Sequence, residues 1–218
     1  GNWHVDYNGY GTVQQLSDGT IRMQPQWAAA GDTSACLVSS TSTYTGDVTI
    51  TAQMRTIQQR PTGTNPWETA WLFWGFTTKI GTPSQGIPDP NNVIEKAYYI
   101  ALKPNGWELG KLDQENFTAT GGQRYLTDDT TPTYPVDGTW HQVRITMTGA
   151  TITATVDGTQ LATFTDGPGS AGDPAWSTNE TVYTSGSVCL YCEDSLVEFR
   201  NVTVTPNGSA TQTWLPGS

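Results

Sequence analysis

The fold class of this chain is decided by residues 140–165, which read WHQVRITMTGATITATVDGTQLATFT. Two turn signals, Gly149-Ala150 and Asp157-Gly158, divide this stretch into runs in which apolar and polar residues alternate. A period of two places the apolar side chains on one face of a β-strand, and Asp-Gly between two such runs is a strong hairpin signal. The stretch therefore predicts three consecutive antiparallel strands, at Trp140–Thr148, Thr151–Val156 and Gln160–Thr165.

The same alternation continues on both sides of this stretch, and no segment shows the 3.6-residue period of a useful helix. Further strands are predicted at Gly11–Gln15, Thr20–Gln24, Ala35–Ser40, Thr49–Ile57, Trp67–Thr77, Ala97–Lys103, Trp107–Leu112, Gly186–Tyr191 and Leu196–Thr205. Short strands separated by Gly, Pro, Asn and Asp turns are typical of an all-β fold. We predict one two-sheet antiparallel β-sandwich domain at residues 1–206 and a C-terminal tail at residues 207–218.

The composition limits the partners of the chain. Its 218 residues carry a net charge of −10 and a pI of about 4.4. That charge argues against nucleic acid as a ligand, because phosphates require clustered Lys and Arg. No apolar run approaches the ~20 residues of a membrane span. The chain begins abruptly at Gly1, as a protein does once its signal peptide is removed, so we expect a secreted monomer.

Three motifs in the last third of the chain resemble the concanavalin A-like lectin and glucanase superfamily, as in laminin-G-like modules and family 16-like glycosidases. They are Trp140-His141-Gln142-Val143-Arg144, Val156-Asp157-Gly158 and Phe199-Arg200-Asn201-Val202. The resemblance implies a jelly roll of two antiparallel sheets, one of them curved, with glycans bound across its concave face. It does not decide the function, because the superfamily holds hydrolases, lyases, lectins and binding modules.

The sequence departs from this superfamily in its catalytic signatures. The Glu-x-Asp-x-(x)-Glu pattern of family 16 and the Gln-Ile/Val-His triplet of jelly-roll alginate lyases are both absent. His141 lies in a scaffold motif, which favours a structural role. Calcium is common in the superfamily, so the resemblance implies a structural calcium whose oxygen ligands come from Glu193 and Asp194, or from Asp6 and Asp47. No other metal and no cofactor is expected.

The candidate site lies in the run Thr49–Asp113, whose four predicted strands we expect side by side. Glycan binding needs flat aromatic faces for sugar rings and polar groups for hydroxyls. We expect both kinds of group from one set of substrate-binding residues: Gln53, Arg55, Trp71, Trp74, Tyr99, Lys103, Trp107 and Lys111. Each Trp in this set has the alternative of a place in the core.

The turn Pro104-Asn105-Gly106 decides which of these side chains share a face. A three-residue loop places Trp107, Leu109 and Lys111 on the face of Lys103. A four-residue loop reverses the assignment and brings Glu108 there instead. The sequence leaves both registers open.

Hydrolysis of a glycosidic bond needs two carboxyl groups, and Glu68 and Glu108 are the predicted catalytic pair. Each lies next to a Trp that can bury it and raise its pKa. We therefore predict an endo-acting glycoside hydrolase that degrades polysaccharides. The alternatives are a lyase acting on a uronate polymer and a binding module without turnover. In the lyase, Gln53, Arg55, Lys103 or Lys111 would neutralise the uronate, and Tyr98 or Tyr99 would be the base.

Three cysteines and four glycosylation patterns agree with secretion. Cys189-Leu-Tyr-Cys192 reads as a strand rather than as half of a zinc or redox motif. We expect a disulfide between Cys36 and either Cys189 or Cys192, and we favour Cys189. The glycosylation acceptors by pattern are Asn116, Asn179, Asn201 and Asn207.

Overall fold

A computed structural model describes residues 2–27, 34–78, 94–113, 122–168 and 181–215. These residues form strands, turns and irregular segments without any helix, and so none of them forms a helix able to cross a membrane. The strands are, in chain order, β1 Trp3–Tyr7, β2 Thr12–Gln15, β3 Ile21–Gln24, β4 Ala35–Ser40, β5 Tyr44–Thr45, β6 Val48–Gln59, β7 Ala70–Thr78, β8 Ile94–Lys103, β9 Gly106–Asp113, β10 Gln123–Asp129, β11 His141–Thr148, β12 Thr151–Val156, β13 Thr159–Thr165, β14 Ser185–Glu193, β15 Ser195–Pro206 and β16 Gln212–Leu215.

The strands form two antiparallel sheets that pack as a sandwich. The front sheet has the order β1-β4-β14-β7-β8-β9-β10, with β5 paired to β14. The back sheet has the order β13-β12-β11-β6-β15-β3-β2, with β16 paired to β15. Neighbours that are distant in sequence, such as β6 and β15, make this a jelly-roll arrangement rather than a simple meander. The predicted all-β sandwich is confirmed.

The core lies between the sheets and follows from strand alternation. In β6, Ile50, Ala52 and Met54 are fully buried, whereas the residues between them are partly exposed. In β11 and β12 the same pattern buries Val143 and Ile152. The register of β11 and β12 runs from Val143↔Val156 to Thr148↔Thr151, as the hairpin predicted from residues 140–165 requires.

Two features of the chain differ from the sequence prediction. β6 pairs with β11 and β15 in the back sheet, so it does not lie beside β7, β8 and β9. Residues 212–215, predicted as part of a tail, form β16. This last strand places Trp214 and Leu215 in the core, because an edge position on β15 was open to it.

A buried ion pair lies in the core of the sandwich, under the front sheet. The Lys111 Nζ atom is 2.6 Å from Asp166 Oδ2 and 2.6 Å from the carbonyl oxygen of Thr181. The hydroxyl of Tyr98 donates to the same Asp166 oxygen at 2.5 Å. Lys111 and Asp166 have relative exposures of 0% and 5%. A buried charge needs this degree of pairing, because desolvation of an unpaired ion costs several kcal/mol.

The three cysteines are free thiols in this structure, and their faces exclude the favoured pairing. Cys36 and Cys192 are direct cross-strand partners in β4 and β14, and both face the core between the sheets. Cys189 faces the opposite side of the front sheet. A disulfide between Cys36 and Cys189 is therefore wrong, because their side chains point away from each other.

We predict that Lys111→Met destabilises the protein by about 3–5 kcal/mol, because it leaves a buried carboxylate without its cation. Urea unfolding measures the loss. The double variant Lys111→Met/Asp166→Asn removes the unpaired charge and keeps an acceptor for Tyr98, so we expect it to be more stable than the single variant. Equal or lower stability of the double variant would contradict this account.

We further predict that oxidative refolding links Cys36 to Cys192 and leaves Cys189 as the free thiol. Opposite residues of neighbouring antiparallel strands lie at the Cα separation that a disulfide spans. Thiol labelling of the unfolded, unreduced product, followed by peptide mapping, identifies the free cysteine. A label on Cys36 or Cys192 with Cys189 protected would refute the assignment.

Candidate functional site

The outer face of the front sheet, which points away from the back sheet, carries rows of side chains that the strand register aligns. One row runs through Tyr191, Trp71, Ala101, Glu108 and Asp128, on β14, β7, β8, β9 and β10. A second row runs through Cys189, Phe73, Tyr99, Gly110 and Tyr125 on the same strands. Because residues opposite each other in a sheet point to the same side, these strands together build one surface.

An aromatic layer forms the floor of this face. Phe73 stacks on Tyr191 with ring centroids 5.0 Å apart, and Trp71 lies 4.8 Å from the ring of Tyr99. All four side chains are almost fully buried. The ring of Tyr99 lies directly over Gly110, where an added Cβ would be 2.1 Å from the Tyr99 ring carbon Cζ. Gly110 is therefore a glycine because the aromatic layer needs that space.

A group of acidic side chains lies on this face, at the end of the sheet where β14 stops. Glu193 is partly exposed, and its carboxylate accepts a hydrogen bond from the Tyr191 hydroxyl at 2.6 Å. Burial raises the pKa of Glu193 to about 7, and the charges of Asp194, Glu68 and Glu108 push it in the same direction. This carboxyl group therefore exchanges a proton near neutral pH, as a general acid or base does.

Glu108 lies on the same face and is held by two donors. Its Oε2 atom is 2.5 Å from Lys103 Nζ, and the hydroxyl of Tyr99 donates to its carboxylate. Gln123 in turn donates its amide to the Tyr99 oxygen at 2.8 Å. Burial raises the pKa of Glu108, although Lys103 opposes that shift. The side chain is thus fixed in position by groups that themselves belong to the sheet.

Two exposed aromatic side chains flank the acidic group. Tyr125 has a relative exposure of 58%, and its pKa is raised by burial and by the charges of Glu108, Asp128 and Glu193. Trp67 has a relative exposure of 43% and leads into Glu68. Both side chains offer a flat surface that a sugar ring can reach.

The structure places three of the predicted substrate-binding residues in the core rather than on the outer face. Lys103 pairs with Gly106, and Leu102 pairs with Trp107, so Trp107 and Lys111 point into the core and Glu108 shares the face of Lys103. Neither three-residue nor four-residue loop describes this turn, which has two residues between Lys103 and Gly106. Trp74 is also in the core. Trp74, Trp107 and Lys111 are therefore not sugar contacts, since all three are buried between the sheets.

Gln53 and Arg55 also lie away from the position we predicted for them, because β6 belongs to the back sheet. They point to the outer face of that sheet, on the far side of the sandwich from Glu108. Arg55 pairs with Glu198, with Nη2 and Oε2 2.5 Å apart, and its guanidinium lies 4.4 Å from the Trp140 ring centre. Gln53 accepts a hydrogen bond from Arg200 at 2.7 Å. Both side chains hold the back sheet together.

Glu68 lies next to the acidic group but is engaged in a buried ion pair. Its Oε1 atom is 2.8 Å from Arg60 Nη2 and accepts a hydrogen bond from the Asn65 amide at 3.1 Å. Arg60 also reaches Asp194 at 3.5 Å. Burial raises the pKa of Glu68, whose Oε2 atom has no hydrogen-bond partner among the described residues. This geometry suits a side chain that positions the loop from 60 to 69.

The sequence analysis predicted Glu193 only as a calcium ligand and missed its acid–base character. The available signal was alternation, because Tyr191 and Glu193 are two residues apart and must share a face. The other two calcium candidates, Asp6 and Asp47, have different partners. Asp6 pairs with His4 at 2.8 Å, and Asp47 accepts a hydrogen bond from the amide of Gly149. In the described part of the chain, no three His, Cys, Asp or Glu side chains form a group that could hold a metal ion.

The two candidate lyase bases lie on opposite sides of the front sheet. Tyr98 is in the core with Asp166, whereas Tyr99 is on the outer face.

Two of the four glycosylation acceptors lie in the described part of the chain. Asn201 is half-buried and donates its amide to Gln53 at 3.0 Å, and Asn207 is exposed at a turn. Asn116 and Asn179 lie outside the described residues.

Solved structures share this fold over nearly the whole chain. The carbohydrate-binding module CBM66 from Bacillus subtilis is 13% identical, with a TM-score of 0.58, and 93% of this chain and 94% of that chain are covered. A Bacillus subtilis protein of unknown function with a galectin-like fold is 12% identical, with a TM-score of 0.64 and coverage of 93% and 88%. The Bacillus licheniformis β-glucanase is 13% identical, with a TM-score of 0.54 and coverage of 94% and 92%.

The fold thus defines a concanavalin A-like jelly-roll domain, as the resemblance of the sequence implied. Within that class, the sequence matches the 3-keto-alpha-glucoside-1,2-lyase-like domain over residues 1–205. The chain belongs to this family and is a carbohydrate-related domain. None of the curated protein sequences matches it.

We predict that the Glu193→Gln variant has a flatter dependence of stability on pH than the wild type. The pKa of Glu193 is about 7 in the folded chain and near the ordinary value of 4.5 when unfolded. Between these values the folded state binds the extra proton, so stability falls as pH rises through this window. Melting temperatures of both proteins from acidic to neutral pH test this. Parallel curves would show that Glu193 has an ordinary pKa.

Proposed function

We propose that this protein cleaves the glycosidic bond of a 3-keto glucoside by elimination, at the outer face of the front sheet, with Glu193 as the base. The observation that carries the proposal is the Glu193 carboxyl on the outer face: the residue is partly exposed, and burial raises the pKa of its carboxyl to about 7. Membership of the 3-keto-alpha-glucoside-1,2-lyase-like family supplies the substrate class and the reaction type. A general base works best when its pKa lies near the working pH.

The elimination needs one base and one group that stabilises negative charge on oxygen. The ketone at C3 makes the hydrogen at C2 acidic, so the Glu193 carboxylate takes that proton and the electron pair moves onto the C3 oxygen as an enolate. The enolate then collapses to the ketone, a double bond forms between C1 and C2, and the oxygen at C1 leaves. The departing oxygen takes back the proton that Glu193 holds, which releases an alcohol and an unsaturated ketone.

Lys103 is the group best placed to stabilise the enolate. It lies on β8, which is separated from Glu193 on β14 by β7 alone, so the two backbone positions are roughly 10 Å apart. A sugar ring held between these two side chains would lie over β7, whose Trp71 is in register with the neighbouring residues Tyr191 and Ala101. Lys103 bonds Glu108 at 2.5 Å in the free protein, which holds the ammonium group at the face. A preoriented cation of this kind stabilises a developing oxyanion.

Endo-hydrolysis is the second candidate, and the match to the 3-keto-alpha-glucoside-1,2-lyase-like family favours elimination over it. A glycoside hydrolase needs one protonated carboxyl and one ionised carboxylate, flanking the bond that is cleaved. What still favours hydrolysis is the presence of Glu108 and Glu193 on one face. Secretion of the protein stays a prediction.

We predict that Glu193→Gln lowers the rate of cleavage of a 3-keto glucoside by about 10²–10⁴-fold, because the base is removed. The product is followed through the ultraviolet absorbance of its conjugated ketone, and reducing ends are measured in parallel. Lys103→Met is expected to lower the turnover rate more than it weakens substrate binding. The exposed turn variant Asp137→Asn is the control and keeps full activity.

Two outcomes would contradict the proposal. Reducing ends released from an unoxidised polysaccharide without an absorbing product, and lost in both Glu108→Gln and Glu193→Gln, would establish hydrolysis. Retention on a glycan with no product from oxidised or unoxidised substrates would establish a binding module.

A further inference from the structure

A cavity lies at the other end of the sandwich from Glu193. It opens between the sheets, where the start of β1 and the end of β4 in the front sheet face β15 and β16 in the back sheet. Its volume of about 200 Å³ is below the roughly 300–1,000 Å³ of drug-sized ligand sites, so a ligand that fits it is small. Val188 lines it, and this residue is five positions before Glu193 on β14, which places the cavity about 17 Å from the acidic group.

The lining of this cavity is uncharged, with polar and apolar surface in about equal parts. Its hydroxyl, amide and indole groups come from Asn2, Ser40, Ser42, Thr43, Tyr44, Gln212, Thr213 and Trp214. None of the described lining residues carries a charge, and Val188 and Val204 add apolar surface. A cavity that offers hydroxyls, amides and apolar surface, but no ion, suits a neutral ligand with both hydroxyl groups and an apolar face.

The two sheets close on this cavity through fixed contacts. Asn2 donates its side-chain amide to the carbonyl of Thr213 at 3.2 Å, which joins the start of the front sheet to β16. The Ser40 hydroxyl donates to the carbonyl of Ser42 at 2.7 Å and accepts from the amide of Val188 at 3.1 Å. The cavity is thus built from paired backbone and side chains and has a defined shape before any ligand enters.

Two buried polar groups of the lining residues have no hydrogen-bond partner among the described residues: the indole Nε1 of Trp214 and the hydroxyl of Tyr44. The two residues are 5% and 4% exposed and pack into the core. A buried indole N–H normally finds an acceptor, because an unpaired donor loses the hydrogen bonds that water would give it.

We propose that this cavity binds one neutral sugar unit beside the Trp214 indole, with the exposed Gln212 amide at the rim. The site is separate from the acidic group, so it anchors a glycan rather than cleaving it. The proposal does not depend on the elimination reaction, because an unoxidised glycoside has no ketone at C3 and serves as a ligand that cannot be eliminated.

The test is titration of the whole protein with methyl α-D-glucopyranoside, followed in ¹H–¹⁵N spectra by the indole signals of its nine Trp residues. We expect one indole signal to shift with saturation at millimolar sugar, and that signal to be the one missing in Trp214→Phe. Gln212→Ala is expected to weaken binding about fivefold, the scale of one hydrogen bond. Gln58→Ala changes an equally exposed strand glutamine away from the cavity and should bind as the wild type does.

Each outcome of the titration either supports or overturns sugar binding at this cavity. Glucuronate at the same concentrations should shift the Trp214 signal less than the methyl glucoside does, because the lining holds no cation. No shift of the Trp214 signal, or a sugar response that survives Trp214→Phe and Gln212→Ala but disappears in Glu193→Gln, overturns the second site. Failure of the elimination assay leaves these spectra unaffected, so the two proposals fail separately.

Discussion

Burial of carboxyl groups against an aromatic layer is the constraint on which the candidate site depends. The front sheet has two apolar faces, because β7, β8 and β14 bury their inward residues against the back sheet and their outward residues in the layer of Phe73, Tyr99 and Tyr191. A carboxyl group placed on such a surface is partly removed from water, and its charged form becomes unfavourable. Glu193 has a raised pKa for this reason, and the neighbouring acids add to the effect.

Five of the ten Lys and Arg residues of the chain form ion pairs with buried acids. On the back sheet, Glu198 is 1% exposed and lies between Arg22 and Arg55 as their cross-strand neighbour. In the front sheet Lys103 pairs with Glu108, and in the core Lys111 pairs with Asp166. Glu193 is different, since its neighbours in the described part of the chain are a tyrosine hydroxyl and other acids. A carboxyl without a cation keeps a high pKa and can exchange a proton.

The sequence predicted the fold well because strand alternation and turn residues are local signals. The hairpins from Trp140 to Thr165 appear in the structure with the expected register. The site was harder, because face assignment depends on turns and on long-range pairing. A two-residue turn at Pro104-Asn105 reversed the faces of Trp107 and Glu108, and the pairing of β6 with β15 moved Gln53 and Arg55 to the back sheet. A shift of one residue changes the side of every side chain in a strand.

The two ends of the sandwich differ in chemistry, and that difference explains why one scaffold can host unlike activities. Near Glu193 the fold brings together acids, a lysine and an exposed Tyr125, and burial together with the charges of the acids raises the pKa values of Glu193 and Tyr125. Near Trp214 the same two sheets enclose hydroxyls and amides without a charged side chain among the described lining residues, and burial raises the pKa of the lining residue Tyr44 above its ordinary value. Strand pairing holds the backbone of both surfaces in the same way. The backbone alone therefore does not determine whether a surface can catalyse a reaction or can only bind a ligand. The difference comes from the side chains that alternate toward the outer face. In this chain Glu193 follows Tyr191 on that face, where its carboxylate accepts the hydrogen bond of the Tyr191 hydroxyl.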